Sequence, residues 1–170
     1  RRQAARLAGS VACVVGAEAW LLASPAVPWL LDKVFLLACL GFQAPMLVAL
    51  LPGVPAACGS RLMDVCHWAF VFLIHAGALL LRAPECVLLI CAVALATVTL
   101  RLCMRNRCLI TLAAQRTSLP DIPGGAVTCI FLGLLALSAL RLCLMAAFGR
   151  GFPVDQLAAR LARAGAAALG

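Results

Sequence analysis

Residues Ala126–Phe148, AVTCIFLGLLALSALRLCLMAAF, decide what kind of protein this is. These 23 residues hold one charge, Arg141. As an α-helix they rise about 1.5 Å per residue, roughly 35 Å in all, which exceeds a hydrocarbon core of about 30 Å. The stretch therefore reads as a transmembrane helix.

The rest of the chain repeats that pattern. Of 170 residues, 65% are hydrophobic and only 12% are charged, with a mean hydropathy of +1.10. A water-soluble domain of this size needs a charged outer shell, whereas here the charges cluster between apolar runs. The net charge of +8 is read as Arg anchoring to headgroups, with lipids, including anionic ones, as partners and no nucleic acid. Thirteen of the fourteen basic residues are arginine and one is Lys33; tyrosine is absent. This bias fits GC-rich coding better than any chemistry.

Upstream of Ala126, apolar runs give four further spans. Leu7–Ala23 is short and rich in Gly9, Ser10, Gly16 and alanine, with Glu18 inside; if it does not cross, four spans remain. Its small residues predict close packing against other helices, so that Gly16→Leu is expected to disrupt assembly. SPAVPW (24–29) turns the chain, with Trp20 and Trp29 as interface anchors. Leu30–Leu51 follows, carrying Gln43 and Pro45. PGVPAACGSR (52–61) reads as a loop, and Val65–Leu81 as the third span, with His67 and Trp68 at an interface. RAPE (82–85) makes a tight turn into a fourth span that runs to about Met104. RNRCLITLAAQRTSLPDIPGG (105–125) is the one sizeable polar connection, with room for a short interfacial helix.

The expected fold is all-α: an integral membrane bundle of five helices plus a C-terminal amphipathic surface helix. It divides into a basic flank at 1–6, the bundle at 7–148 and an interfacial tail at 149–170. In the tail, Val154, Leu157, Leu161 and Ala168 share one face, with Gln156, Arg160 and Arg163 opposite, the arginines as interface anchors. The start, RRQAARLAGS, has the Arg, Ala and Ser character, without acids, of an organelle-targeting segment or its remnant, and serves equally well as a basic helix flank. Arginine counts favour the N-terminus on the inner side.

No sequence pattern names a reaction: Ser-His-Asp sets, H-E-x-x-H, a P-loop and a dinucleotide fingerprint are all lacking. The ten cysteines read mainly as small packing residues. Cys86/Cys91 and Cys103/Cys108, five apart, fall on different helix faces, so no metal site is expected. A disulfide among Cys58, Cys66, Cys103 and Cys108 is compatible with the topology but has no framework behind it. His67 and His75 stand eight apart on one helix, about 12 Å along the axis and about 80° around it, so they cannot ligate one haem from opposite faces. His75 alone is a candidate haem ligand, and Gln43 a candidate quinone-site residue.

Counting depth from the span ends places Glu18, His75 and Arg141 at one level, roughly 8 to 10 Å inside the same boundary. Because uncompensated charge in hydrocarbon is costly, the three are expected to form a polar tie between spans one, three and five. A small bundle without a readable active site is expected to be a non-catalytic accessory subunit of a larger membrane complex, with other transmembrane subunits and lipids as partners. A mitochondrial respiratory-chain or ATP synthase complex comes first, and a thylakoid second. The alternatives are a haem- or quinone-binding anchor in electron transfer and a small transporter, although no internal repeat or broken helix pair supports transport. No cofactor is expected under the first reading.

Overall fold

The computed structural model describes residues 2–51, 56–110 and 125–148. They form five α-helices: α1 Arg2–Ala23, α2 Leu30–Ala49, α3 Ala56–Leu80, α4 Pro84–Cys103 and α5 Ala126–Phe148. All five are long and apolar enough to cross a membrane. The protein is a helical membrane bundle, and the first segment is long enough to cross with the others. The C-terminal tail, with Arg160 and Arg163, lies outside the described residues, as does most of the polar connection before α5.

Two boundaries differ from the sequence expectation. The flank at 1–6 is no separate segment, since α1 begins at Arg2. Residues 56–61, expected in a loop, form the start of α3. Helix α3 thus runs 25 residues, about 37 Å at 1.5 Å per residue. His67 and Trp68 consequently stand in mid-helix, Trp68 twelve residues after Ala56 and twelve before Leu80. A pair expected at a span end thus stands near the middle of the helix, with Trp68 62% exposed.

A side-chain hydrogen bond and a buried valine close the short turn from α1 to α2. The Ser24 hydroxyl accepts from the Ala26 amide at 3.2 Å, and Val27 is fully buried, plugging the end of the bundle. Trp20 and Trp29 flank this turn and are both exposed, as residues that partition to the headgroup region require. Arg82 lies over the Trp29 ring, 5.5 Å from its centroid, close enough for a cation–π contact.

The α3–α4 turn is tighter still, and other helices complete it. A helix end leaves carbonyls unsatisfied, and a helix start leaves amides unsatisfied, which lipid cannot solvate. Asp32, from the first turn of α2 and fully buried, accepts from the Ala83 amide at 2.6 Å. It also accepts from the Arg82 amide at 3.1 Å through each carboxylate oxygen. Arg141, from α5, donates to the Ala78 and Leu81 carbonyls at the end of α3. An acid therefore sits on the amides that open α4 and a base on the carbonyls that close α3, each matching the local helix dipole.

At the opposite face α4 ends in a Schellman motif. The Asn106 amide donates to the Arg101 carbonyl at 2.7 Å and the Arg105 amide to the Leu102 carbonyl at 3.3 Å. Arg105 takes φ 55°, the left-handed conformation this cap demands, and Asn106 follows it with φ 64°. The buried Arg101 side chain stays inside the cap, donating to the Asn106 carbonyl at 2.6 Å and to Thr128 Oγ1 of α5 at 3.3 Å. Thr128 in turn donates to Asn106 Oδ1 at 3.1 Å.

Helix α5 packs mainly against α4, α2 against α3, and α1 against α2. Two apolar clusters result. One joins α2 to α5 around Leu36, Ile74, Val87 and Phe131. The other joins α1, α2 and α3 to Leu109 and Ile110 around Met46 and Met63. Gly77 allows α3 its close approach to α2 and α4: a Cβ there would stand 2.7 Å from Phe35 Cζ and 2.8 Å from Ile90 Cδ1. Gly9 and Gly16 meet nothing within 4 Å, so among the described residues the glycines of α1 are not packing positions.

Candidate functional site

Helices α1 and α2 run antiparallel, and each side chain leans toward the N-terminus of its own helix. Glu18 therefore reaches deeper into the bundle from the turn end, while Gln43 leans back toward that end. They meet: Gln43 Nε2 donates to Glu18 Oε1 at 2.8 Å. Glu18 is 3% exposed. Its other oxygen, Oε2, and Gln43 Oε1 are buried without a hydrogen-bond partner among the described residues. Two polar atoms thus remain open at one point in the apolar interior, where an unmade hydrogen bond is expensive.

Both residues line a cavity of about 200 Å³ bounded by all five helices. Most of its wall is apolar, with Val11, Phe35, Leu36, Phe70, Ile90 and Phe131 among the lining side chains. Besides Glu18 and Gln43, the polar side chains in the wall are Ser10, His67, Thr97 and Arg101. Ser10 and Phe42, both in the wall, are exposed, so the cavity communicates with the outside of the bundle.

No protein family, curated protein or solved structure matches this chain.

The expected tie among Glu18, His75 and Arg141 is corrected by the hydrogen bonds: Glu18 pairs with Gln43, and neither Arg141 nor His75 is its hydrogen-bond partner. Arg141 serves the end of α3. His75 Nδ1 lies 2.6 Å from the Val71 carbonyl of its own helix, and its ring tilts against Phe131 with centroids 6.0 Å apart. The cause is lateral placement. Depth was read from residue counts, but α1 packs on α2 while α5 packs on α4, so equal depth does not make Glu18 and Arg141 neighbours.

His75 is absent from the cavity wall, whereas Gln43 is part of it. The two candidate cofactor residues are thus on different sites. His67, set aside as an interface residue, lines the cavity and places Nε2 3.5 Å from Cys108 Sγ. Among the described residues its Nδ1 has no hydrogen-bond partner, and none of them supplies the third group that orients the base beside a catalytic thiol. No disulfide joins the ten cysteines. Among the described residues no three His, Cys, Asp or Glu side chains converge as metal ligands.

Asp32, Arg101, Asn106 and Thr128 escaped the sequence reading. The available signals were positional: an acid in the first turn of α2 and a base in the last turn of α4, where helix dipoles favour them.

Proposed function

We propose that this chain is a non-catalytic accessory subunit of a larger membrane complex, holding neighbouring transmembrane helices in place. The observation that carries this reading is the outer face of α1. Ala5, Gly9, Ala12, Gly16 and Ala19 are all exposed and follow one another at intervals of four, three, four and three. That period keeps them on one side of a helix, and small side chains there give a flat strip against which another helix backbone can pack closely. Lipid chains gain nothing particular from such a strip. The membrane we assign to it is an organelle's, the mitochondrial inner membrane first and a thylakoid second, on the arginine-, alanine- and serine-rich, acid-free composition of residues 1–10.

Extraction in mild detergent tests this directly. The chain is expected to migrate in a native gel with other membrane subunits, far above its own 17.7 kDa. Gly9→Leu combined with Gly16→Leu is expected to release it as a folded monomer, because none of the described residues lies within 4 Å of where those side chains would start. A wild-type chain that runs alone under the same extraction refutes the reading.

A further inference from the structure

We propose that the cavity beside Glu18 and Gln43 binds a membrane-soluble molecule headed by a hydroxyl group, such as a sterol, a diacylglycerol or a quinol. This inference does not depend on the subunit reading, since it concerns the inside of the bundle rather than its outer face.

The argument starts from the two open atoms. The Gln43 amide already donates to Glu18 Oε1, leaving its own Oε1 as an acceptor and Glu18 Oε2 unmatched. With a proton on Oε2 the carboxyl offers a donor, so the pair presents one donor and one acceptor side by side. A hydroxyl is both at once. It accepts from Glu18, donates to Gln43 and brings no charge into hydrocarbon.

Other occupants fit less well. A head with carbonyl oxygens alone, as in an oxidised quinone or an ester, faces Gln43 Oε1 acceptor to acceptor. An ammonium carries three donors to two open atoms and must be desolvated with its counter-charge. A water needs two to four polar partners, and an apolar cavity of about 150 Å³ stays dry yet accepts benzene. At about 200 Å³ with a mostly apolar wall, this cavity suits a small polar head joined to a ring or chain. The rest of the skeleton leaves toward lipid past Ser10 and Phe42, which are both lining and exposed.

The test uses the purified full chain in detergent micelles and a hydrophobic carbodiimide, which attacks protonated carboxyls in apolar surroundings. Labelling of Glu18 is followed by peptide mass. Three ligand pairs compete with it, each differing at the hydroxyl: cholesterol and its methyl ether, dioleoylglycerol and its methyl ether, decylubiquinol and decylubiquinone. In at least one pair the hydroxyl-bearing member is expected to slow labelling while its partner does not, and that pair identifies the class of ligand. Gln43→Met, close in shape but without the acceptor for the hydroxyl or the amide that holds Glu18, is expected to weaken protection at least about tenfold, since the ligand loses one well-placed hydrogen bond. If no pair shows a hydroxyl-dependent difference, the cavity holds water or lipid tails and the proposal fails. It also fails if Gln43→Met folds and is protected like wild type. Should that variant not fold, the comparison of pairs on the unaltered chain still decides.

Discussion

The α3–α4 turn shows how few residues hold this bundle together. Three polar atoms that lipid would leave bare, the amides of Arg82 and Ala83 and the carbonyl of Leu81, are each met by a side chain from another helix. Asp32→Asn removes the charge and turns an NH₂ group toward amides that also donate. It is expected to destabilise by about 1–3 kcal/mol, the cost of leaving buried donors unpaired, read as a lower unfolding midpoint in detergent. An unchanged midpoint would show that the turn holds without Asp32. Gly77 makes the apolar counterpart. The tips of Phe35 and Ile90 already stand within 3 Å of where a Cβ would be, so Gly77→Ala asks two flexible ends to shift and Gly77→Ile asks the helices to part. The isoleucine variant is expected to lose about 1–3 kcal/mol and the alanine variant clearly less, measured in the same melts.

Among the elements, α5 was the most legible: its expected limits, Ala126 and Phe148, are those observed, because turn-favouring residues precede it in the sequence and apolar residues fill it. Its buried face was not legible. Thr128, Phe131, Leu134, Ser138 and Met145 face the bundle, yet Ile130, Leu132 and Leu140 face outward and are just as apolar, since lipid rewards both faces alike. The start of α3 was missed for a different reason. Pro52, Gly53 and Pro55 are residue types that favour turns, and Cys58, Gly59 and Ser60 looked like their continuation, whereas the helix that Cys58–Ser60 belong to begins at Ala56. The end of α4 was placed within a residue of Cys103, but its cap was not foreseen, because glycine usually marks that position and here Arg105 takes it. A left-handed conformation costs a non-glycine residue roughly 1–2 kcal/mol. Arg105→Gly is therefore expected to raise the unfolding midpoint, while Asn106→Val, which adds β-branching at φ 64° and removes the acceptor for Thr128, is expected to lower it. A drop with Arg105→Gly would mean that the Arg105 side chain contributes more than its backbone strain costs.

At the scale of the whole molecule, the sequence supplied depth and the structure supplied neighbours, and the fate of Glu18 turns on that difference. Each helix buries only a minor share of its residues, between 22% and 33% over its most apolar stretch. A polar side chain can therefore find a partner only on the few faces that touch. Glu18 stands on the face of α1 that meets α2, and Arg141 on the face of α5 that meets the end of α3. Each is served by its own neighbour, and they share no hydrogen-bond partner. This arrangement makes a quantitative prediction. Glu18→Arg leaves a guanidinium where Gln43 offers one amide, and Arg141→Glu sets a carboxylate against the carbonyls of Ala78 and Leu81. Each change is expected to cost about 2 kcal/mol or more, as a misplaced charge within the membrane does. Were the two residues paired, the double swap would recover much of that loss. Because they are not, the two losses should add, with a coupling energy below about 0.5 kcal/mol, as for independent sites. Unfolding midpoints of the wild type, both single variants and the double variant, taken in one detergent, measure that coupling. Recovery of 1 kcal/mol or more in the double variant would place Glu18 and Arg141 in contact and overturn the packing of α1 and α5 described above.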